Sequence, residues 1–264
     1  MKERRKRMKK LLTTAAVAAS LTGVILAQTP PYIWYVEVSP ETAQLYDGNP
    51  LVENTHYYNG QTWVPNDGVW DVRSLFGNGG TIWQNAASGQ IDTNAPILRV
   101  PLSLQAPGEY TIYAYFWSDS SGWRAQAGLS LDTLTLYIHQ AGLQEGLIQL
   151  GSNGPEGEHD HPELSSPEYL TEINGVPIYN TPSDQGLMVG EGNRRLLQAT
   201  LGTLNITEPT TVYVYLGPDP NQQDSNERTW LDGVGYMYVP EPSTWAILIL
   251  AGLTGIGLLR RNRR

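Results

Sequence analysis

The sequence predicts an all-β protein, an antiparallel β-sandwich or jelly roll set between two apolar ends. Three observations predict it. Runs rich in Tyr, Val, Ile and Trp alternate apolar with polar residues, the pattern of a pleated surface buried on one side. Gly, Pro, Asn and Asp bound those runs and supply turns. Helical spacing of apolar residues is rare between Gln28 and Val239, a stretch of the size of one large β domain.

In chain order, Tyr32–Val38 (YIWYVEV) is the first predicted strand. A Gly/Asn-rich region with little alternation follows and carries Trp63, Trp70 and Trp83. Ile97–Leu104 (ILRVPLSL) and Glu109–Trp117 (EYTIYAYFW) alternate cleanly, and Leu129–His139 is a further candidate. From Gly151 to Gln185 the chain is dense in Gly, Pro, Ser and acid without a period, so a long acidic surface loop is expected over 151–185. Strands return at Arg195–Leu204, Thr210–Leu216 (TTVYVYL) and Trp230–Val239 (WLDGVGYMYV). Two of these stretches, Ala106–Trp117 and Arg228–Tyr238 with its Asp-Gly pair, resemble pieces of the galactose-binding-like carbohydrate modules. That likeness implies a β-sandwich.

The ends carry most of the positive charge. Lys2, Arg4, Arg5, Lys6, Arg7, Lys9 and Lys10 precede a charge-free run from Leu11 to Ala27. A basic segment, an apolar segment and a small residue make a secretory signal peptide, 1–27, with cleavage expected between Ala27 and Gln28. Met8 followed by Lys9 and Lys10 opens a signal peptide equally well, so Met1 and Met8 both stand as starts. Such a segment implies the Sec translocon and signal peptidase as partners. At the other end, Trp245–Leu259 holds no charge and is closed by Arg260, Arg261, Arg263 and Arg264. As a helix it would extend about 22 Å, short for a bilayer core of about 30 Å. Arginines that snorkel to one interface and a tryptophan at the other make up the difference, so a single transmembrane helix with its arginines in the cytoplasm is expected.

Pro240, Glu241 and Pro242, then Ser243, Thr244, the apolar run and the arginines, resemble the PEP-CTERM sorting signal of Gram-negative bacteria. The resemblance implies that an exosortase, a membrane enzyme, processes the chain near Pro-Glu-Pro. It also implies transient anchoring in the inner membrane by 239–264, then delivery of 28–238 to the cell surface or an extracellular matrix, often where exopolysaccharide is made.

The whole chain has a formal charge of −9, but the body alone is far more acidic. Between Gln28 and Val239 six arginines (73, 99, 124, 194, 195 and 228) face 24 acidic residues, a formal −18 without one lysine. Such a surface excludes nucleic acid, whose binding rests on cationic contacts with phosphate. Absence of cysteine excludes disulfides and thiol chemistry.

Candidate binding chemistry falls in three places. Trp63, Trp70, Trp83 and Trp123, with Arg124 beside the last, are the residues expected to stack on and bond sugar; Trp117 and Trp230 are expected in the core. Arg124 and Arg228 serve equally to neutralise nearby carboxylates. His159 and His161, among Glu156, Glu158, Asp160 and Glu163, carry donors for a transition metal. Asp219, Asn221 and Asp224, and likewise Asn66, Asp67 and Asp71, offer oxygens for structural calcium, although neither group has EF-hand spacing. His56 and His139 stand in no recognisable Ser or Asp motif, and with so many acids a pair of carboxylates carries no signal. The expected role is therefore non-enzymatic: an exported surface or matrix protein that binds exopolysaccharide. A matrix protein without ligand and a glycan-active enzyme are the alternatives.

Overall fold

The alternating runs become strands. A computed structural model of the protein describes residues 30–52, 67–73, 78, 82–86, 90–119, 123–139, 144–151, 163–224 and 227–241. The first half of the chain supplies β1 (Tyr32–Glu37), β2 (Gln44–Leu45), β3 (Asp71–Arg73), β4 (Ile82–Gln84), β5 (Leu98–Leu104), β6 (Gly108–Ser118), β7 (Trp123–Gly128) and β8 (Thr135–His139). The second half supplies β9 (Leu147–Gln149), β10 (Glu168–Leu170), β11 (Glu172–Ile173), β12 (Val176–Tyr179), β13 (Leu187–Glu191), β14 (Arg194–Ile206), β15 (Thr210–Gly217) and β16 (Trp230–Pro240).

Two sheets result. The larger follows the order β10-β13-β14-β6-β16-β1-β12-β11, with β3, β4 and β9 attached; the smaller follows β2-β5-β15-β7-β8. β1 and β12 run parallel through Ile33↔Ile178 and Trp34↔Tyr179, and Trp123 meets Arg228 in an isolated parallel bridge; the β1–β16, β6–β14, β5–β15 and β7–β8 ladders are antiparallel. The expected antiparallel architecture is departed from at those two places. The long β6–β14 ladder carries a bulge between Thr200 and Gly202.

The two sheets share one core. On β5, Leu98, Val100, Leu102 and Leu104 are buried while Pro101 and Ser103 are exposed. On β6, Phe116 reaches across to Trp123 and Tyr137 of the smaller sheet, with ring centroids 4.8 and 6.3 Å apart. Each large apolar side chain buried this way contributes about 1.5–3 kcal/mol. The far face of the larger sheet is covered as well, since Tyr35, Tyr115 and Trp117 are also fully buried. Gly233 and Gly235 of β16 permit this. A Cβ on Gly233 would sit 2.6 Å from the Tyr35 ring, and one on Gly235 would sit 2.6 Å from the Trp34 carbonyl.

Two expectations change. Within Leu129–His139 only Thr135–His139 is a strand; Leu131–Thr133 form a 3-10 turn in which the Ser130 side chain caps the Asp132 N–H. The expected loop 151–185 holds β10, β11 and β12. Asn174 and Gly175, at φ 52° and 78°, close β11 onto β12 in the left-handed conformation that a two-residue hairpin turn requires. Among the described residues there is no helix long and apolar enough to cross a membrane. The expected signal peptide 1–27 and the expected transmembrane segment Trp245–Leu259 with its arginines lie outside the described residues. Pro31–Val239 form one compact unit.

Candidate functional site

Three of the four tryptophans expected to meet sugar are core residues. Trp70, Trp83 and Trp123 are each about 2% exposed, and Trp63 lies outside the described residues. The Trp70 indole N–H donates to the Pro96 carbonyl at 2.6 Å and that of Trp83 to the Val38 carbonyl at 2.7 Å. Trp83 is carried inward because β4 pairs with β16. Trp123 stacks against Phe116. Trp117 and Trp230 are buried, as their place in strands predicts.

Arg124 takes the neutralising role. Its guanidinium lies 3.0 Å from Asp219 and 2.5 Å from Glu227, carboxylates that are themselves almost wholly buried. The other Asp219 oxygen accepts the Asn221 backbone N–H at 2.8 Å. Both oxygens of Asp219 are therefore engaged inside the protein, while Asn221 and Asp224 are exposed. No group of three or more acidic, histidine or cysteine side chains suited to a metal occurs among the described residues. Asp71 is buried, and His159, His161 and Asn66 lie outside the described residues.

Two polar clusters escaped the sequence. Ser118 Oγ lies 2.6 Å from His139 Nδ1, and both residues are sealed from solvent, so the pair ties β6 of one sheet to β8 of the other. Asp232 is buried with four donors around it: Tyr35 Oη at 2.7 Å, Trp117 Nε1 at 2.8 Å, and the Asn78 side-chain and backbone nitrogens at 2.6 and 3.2 Å. Burial raises the Asp232 carboxyl above its ordinary value and the four donors pull it back part of the way. Burial, then the charge of Asp232, pushes the Tyr35 phenol well up. Partners this far apart in the chain leave no local pattern to read.

The accessible aromatic surface is elsewhere. Tyr32, Trp34 and Val36 of β1 face β5 across a groove of about 380 Å³. Tyr236, paired with Trp34 in register, completes that wall. Pro101, Leu102, Ser103 and Gln105 form the other. Trp34 is 37% exposed, and Tyr179, its partner on β12, is 49% exposed on the same face. Behind them the tyrosines interlock, Tyr32 with Tyr179 at 5.9 Å and with Tyr238 at 5.3 Å, and Tyr110 with Tyr236 at 5.2 Å. The Tyr110 and Tyr238 hydroxyls donate to the Ala106 and Pro107 carbonyls. Burial, then the neighbouring Tyr32, raises the Tyr236 phenol, so it stays neutral.

The β5 wall also presents a backbone edge. Tyr46 N–H donates to the Ile97 carbonyl, so by strand alternation the peptide groups of Ile97, Arg99, Pro101 and Ser103 point toward β2. Yet β2 pairs only with Leu98 and Arg99. Among the described residues no strand pairs with the Pro101 carbonyl and the Ser103 peptide groups on that side, and proline stands where its missing N–H removes no ladder bond.

β16 ends at Pro240, and exposed Glu241 follows at once. Comparison with known families matches residues 239–264 to the PEP-CTERM protein-sorting motif. Comparison with curated proteins finds no match. The tail marks the chain for export, for processing by an exosortase membrane enzyme, and for transient membrane anchoring before surface delivery.

Proposed function

We propose that the chain is an envelope protein whose body, 28–238, is set outside a Gram-negative cell to bind exopolysaccharide there, without catalysis. The sorting motif that begins as β16 ends carries this reading. Signal peptidase releases the Sec-delivered amino end after Ala27; Trp245–Leu259 holds the carboxyl end in the inner membrane until exosortase acts at Pro240-Glu241-Pro242. The formal −18 of the body supports an outward life, since such a surface stays soluble and avoids anionic membranes and nucleic acids.

Replacing Pro240, Glu241 and Pro242 by alanine, followed by fractionation with an antibody to the body, tests the sorting step. The body should shift from the surface and medium to the membrane fraction; unchanged release would refute the assignment. Retention of the released wild-type protein on polysaccharide from the producing cells tests the binding step, and its failure would favour a matrix protein without ligand.

A further inference from the structure

The groove between β1 and the edge of β5 carries no charged side chain among its described residues. The described lining residues are Tyr, Trp, Val, Pro, Leu, Ser and Gln, on a body of formal −18. We infer that this groove is the glycan site, and that it takes an uncharged hexose polymer, stacked on Trp34 and Tyr32 and bonded by Gln105, Ser103 and the β5 edge. The inference rests on the exopolysaccharide reading above and names its site and ligand class.

Three features select that occupant. Aromatic faces on one wall oppose an amide, a hydroxyl and edge peptide groups on the other, which matches the apolar face and polar rim of a pyranose. A wholly apolar occupant would cover Ser103, Gln105 and the edge peptide groups without partners, at the cost of buried unsatisfied polar atoms. A peptide strand adding to β5 would meet Pro101, which has no N–H to give. Charge then narrows the sugar. Among the described residues no cation lines the groove to pair with a uronate, and the net negative charge of the body repels one, so a neutral polymer is favoured. Because among the described residues no strand pairs with that edge of β5 beyond Arg99, a chain can lie along the groove and does not have to enter by its end.

The test uses the protein released from cells, titrated with cellohexaose, dextran and laminarin as neutral probes and with polygalacturonate as the acidic one. At least one neutral probe should bind, and polygalacturonate should bind more weakly. Trp34→Ala should lower affinity about tenfold or more, and Trp34→Phe should restore most of it. Ser103→Trp, at an exposed position on the opposite wall, should abolish binding by filling the groove. Unchanged urea midpoints establish that the variants are folded. Neutral-probe binding untouched by Trp34→Ala and Ser103→Trp would overturn the site while leaving exopolysaccharide binding standing. Preference for polygalacturonate would overturn the ligand class. Wild-type protein that binds no probe but forms a dimer which Trp34→Ala dissociates would give the groove to a second copy instead. Wild-type protein that binds no probe and remains a monomer would overturn the site and ligand class, and retention on the native polysaccharide would then decide the broader reading.

Discussion

Asp232 shows how one residue can hold the far face of the larger sheet together. Its carboxyl gathers donors from β1, β6 and the Asn78 segment, which are far apart in sequence, so its loss unties three elements at once. Asp232→Asn places an amide nitrogen against groups that can only donate, or against the phenol, and should cost about 3 kcal/mol, read as a shift in urea midpoint. The same residue sets a pH trend. Its raised value means the folded protein holds that proton more tightly than the unfolded chain does. The stability it contributes is therefore complete below the ordinary aspartate value of about 4 and is lost as pH climbs through the raised folded value. Asp92 and Glu191 are raised by burial too and act in the same direction. Urea midpoints taken upward from pH 3 should fall for the wild type and fall less steeply for Asp232→Asn. Equal slopes would refute the assignment.

Among the elements, β16 is the most constrained. It lies between β6 and β1, and its two glycines let Tyr35 and the β1 backbone pack directly on it. Gly235→Ala would press a methyl against the Trp34 carbonyl, a backbone atom that cannot swing away, and should cost about 2–3 kcal/mol by thermal unfolding. The strands that the sequence reveals are those long enough to alternate visibly: β1, β5, β6, β14, β15 and β16. Others hide for physical reasons. In β7 the inward residues after Trp123 are Ala125 and Ala127, too small to mark a strand. β3 and β4 are three residues each, too short to display a period, and so Trp83 looks surface-bound in sequence although pairing with β16 buries it. The β11–β12 hairpin hides because surrounding acid and proline obscure its Asn174-Gly175 turn. The groove was not legible at all, because its walls lie far apart in the chain.

At the scale of the whole molecule, charge is the dominant variable. A body of formal −18 repels itself, and in dilute buffer, with a Debye length of about 30 Å at 0.01 M, that repulsion acts across much of its width. Raising salt to 0.15 M should stabilise it, lifting the calorimetric midpoint by about 2–4 °C for each kcal/mol recovered. A midpoint that falls with salt would mean that favourable ion pairs such as Arg124 with Asp219 and Glu227 outweigh the repulsion. The pairing of β1 with β16 has a mechanical consequence. Tyr32 opposes Tyr238, so the body begins and ends on neighbouring strands at one edge of the ladder. A pull on the tail alone runs along β16 and loads its rungs on both flanks together, in shear, the direction in which a ladder yields last. Tension applied between the two ends would open the same ladder like a zip, one rung after another, starting at Tyr32. A tether through the carboxyl end alone is the stronger way to hang this body, and freeing the amino end first leaves it hanging that way.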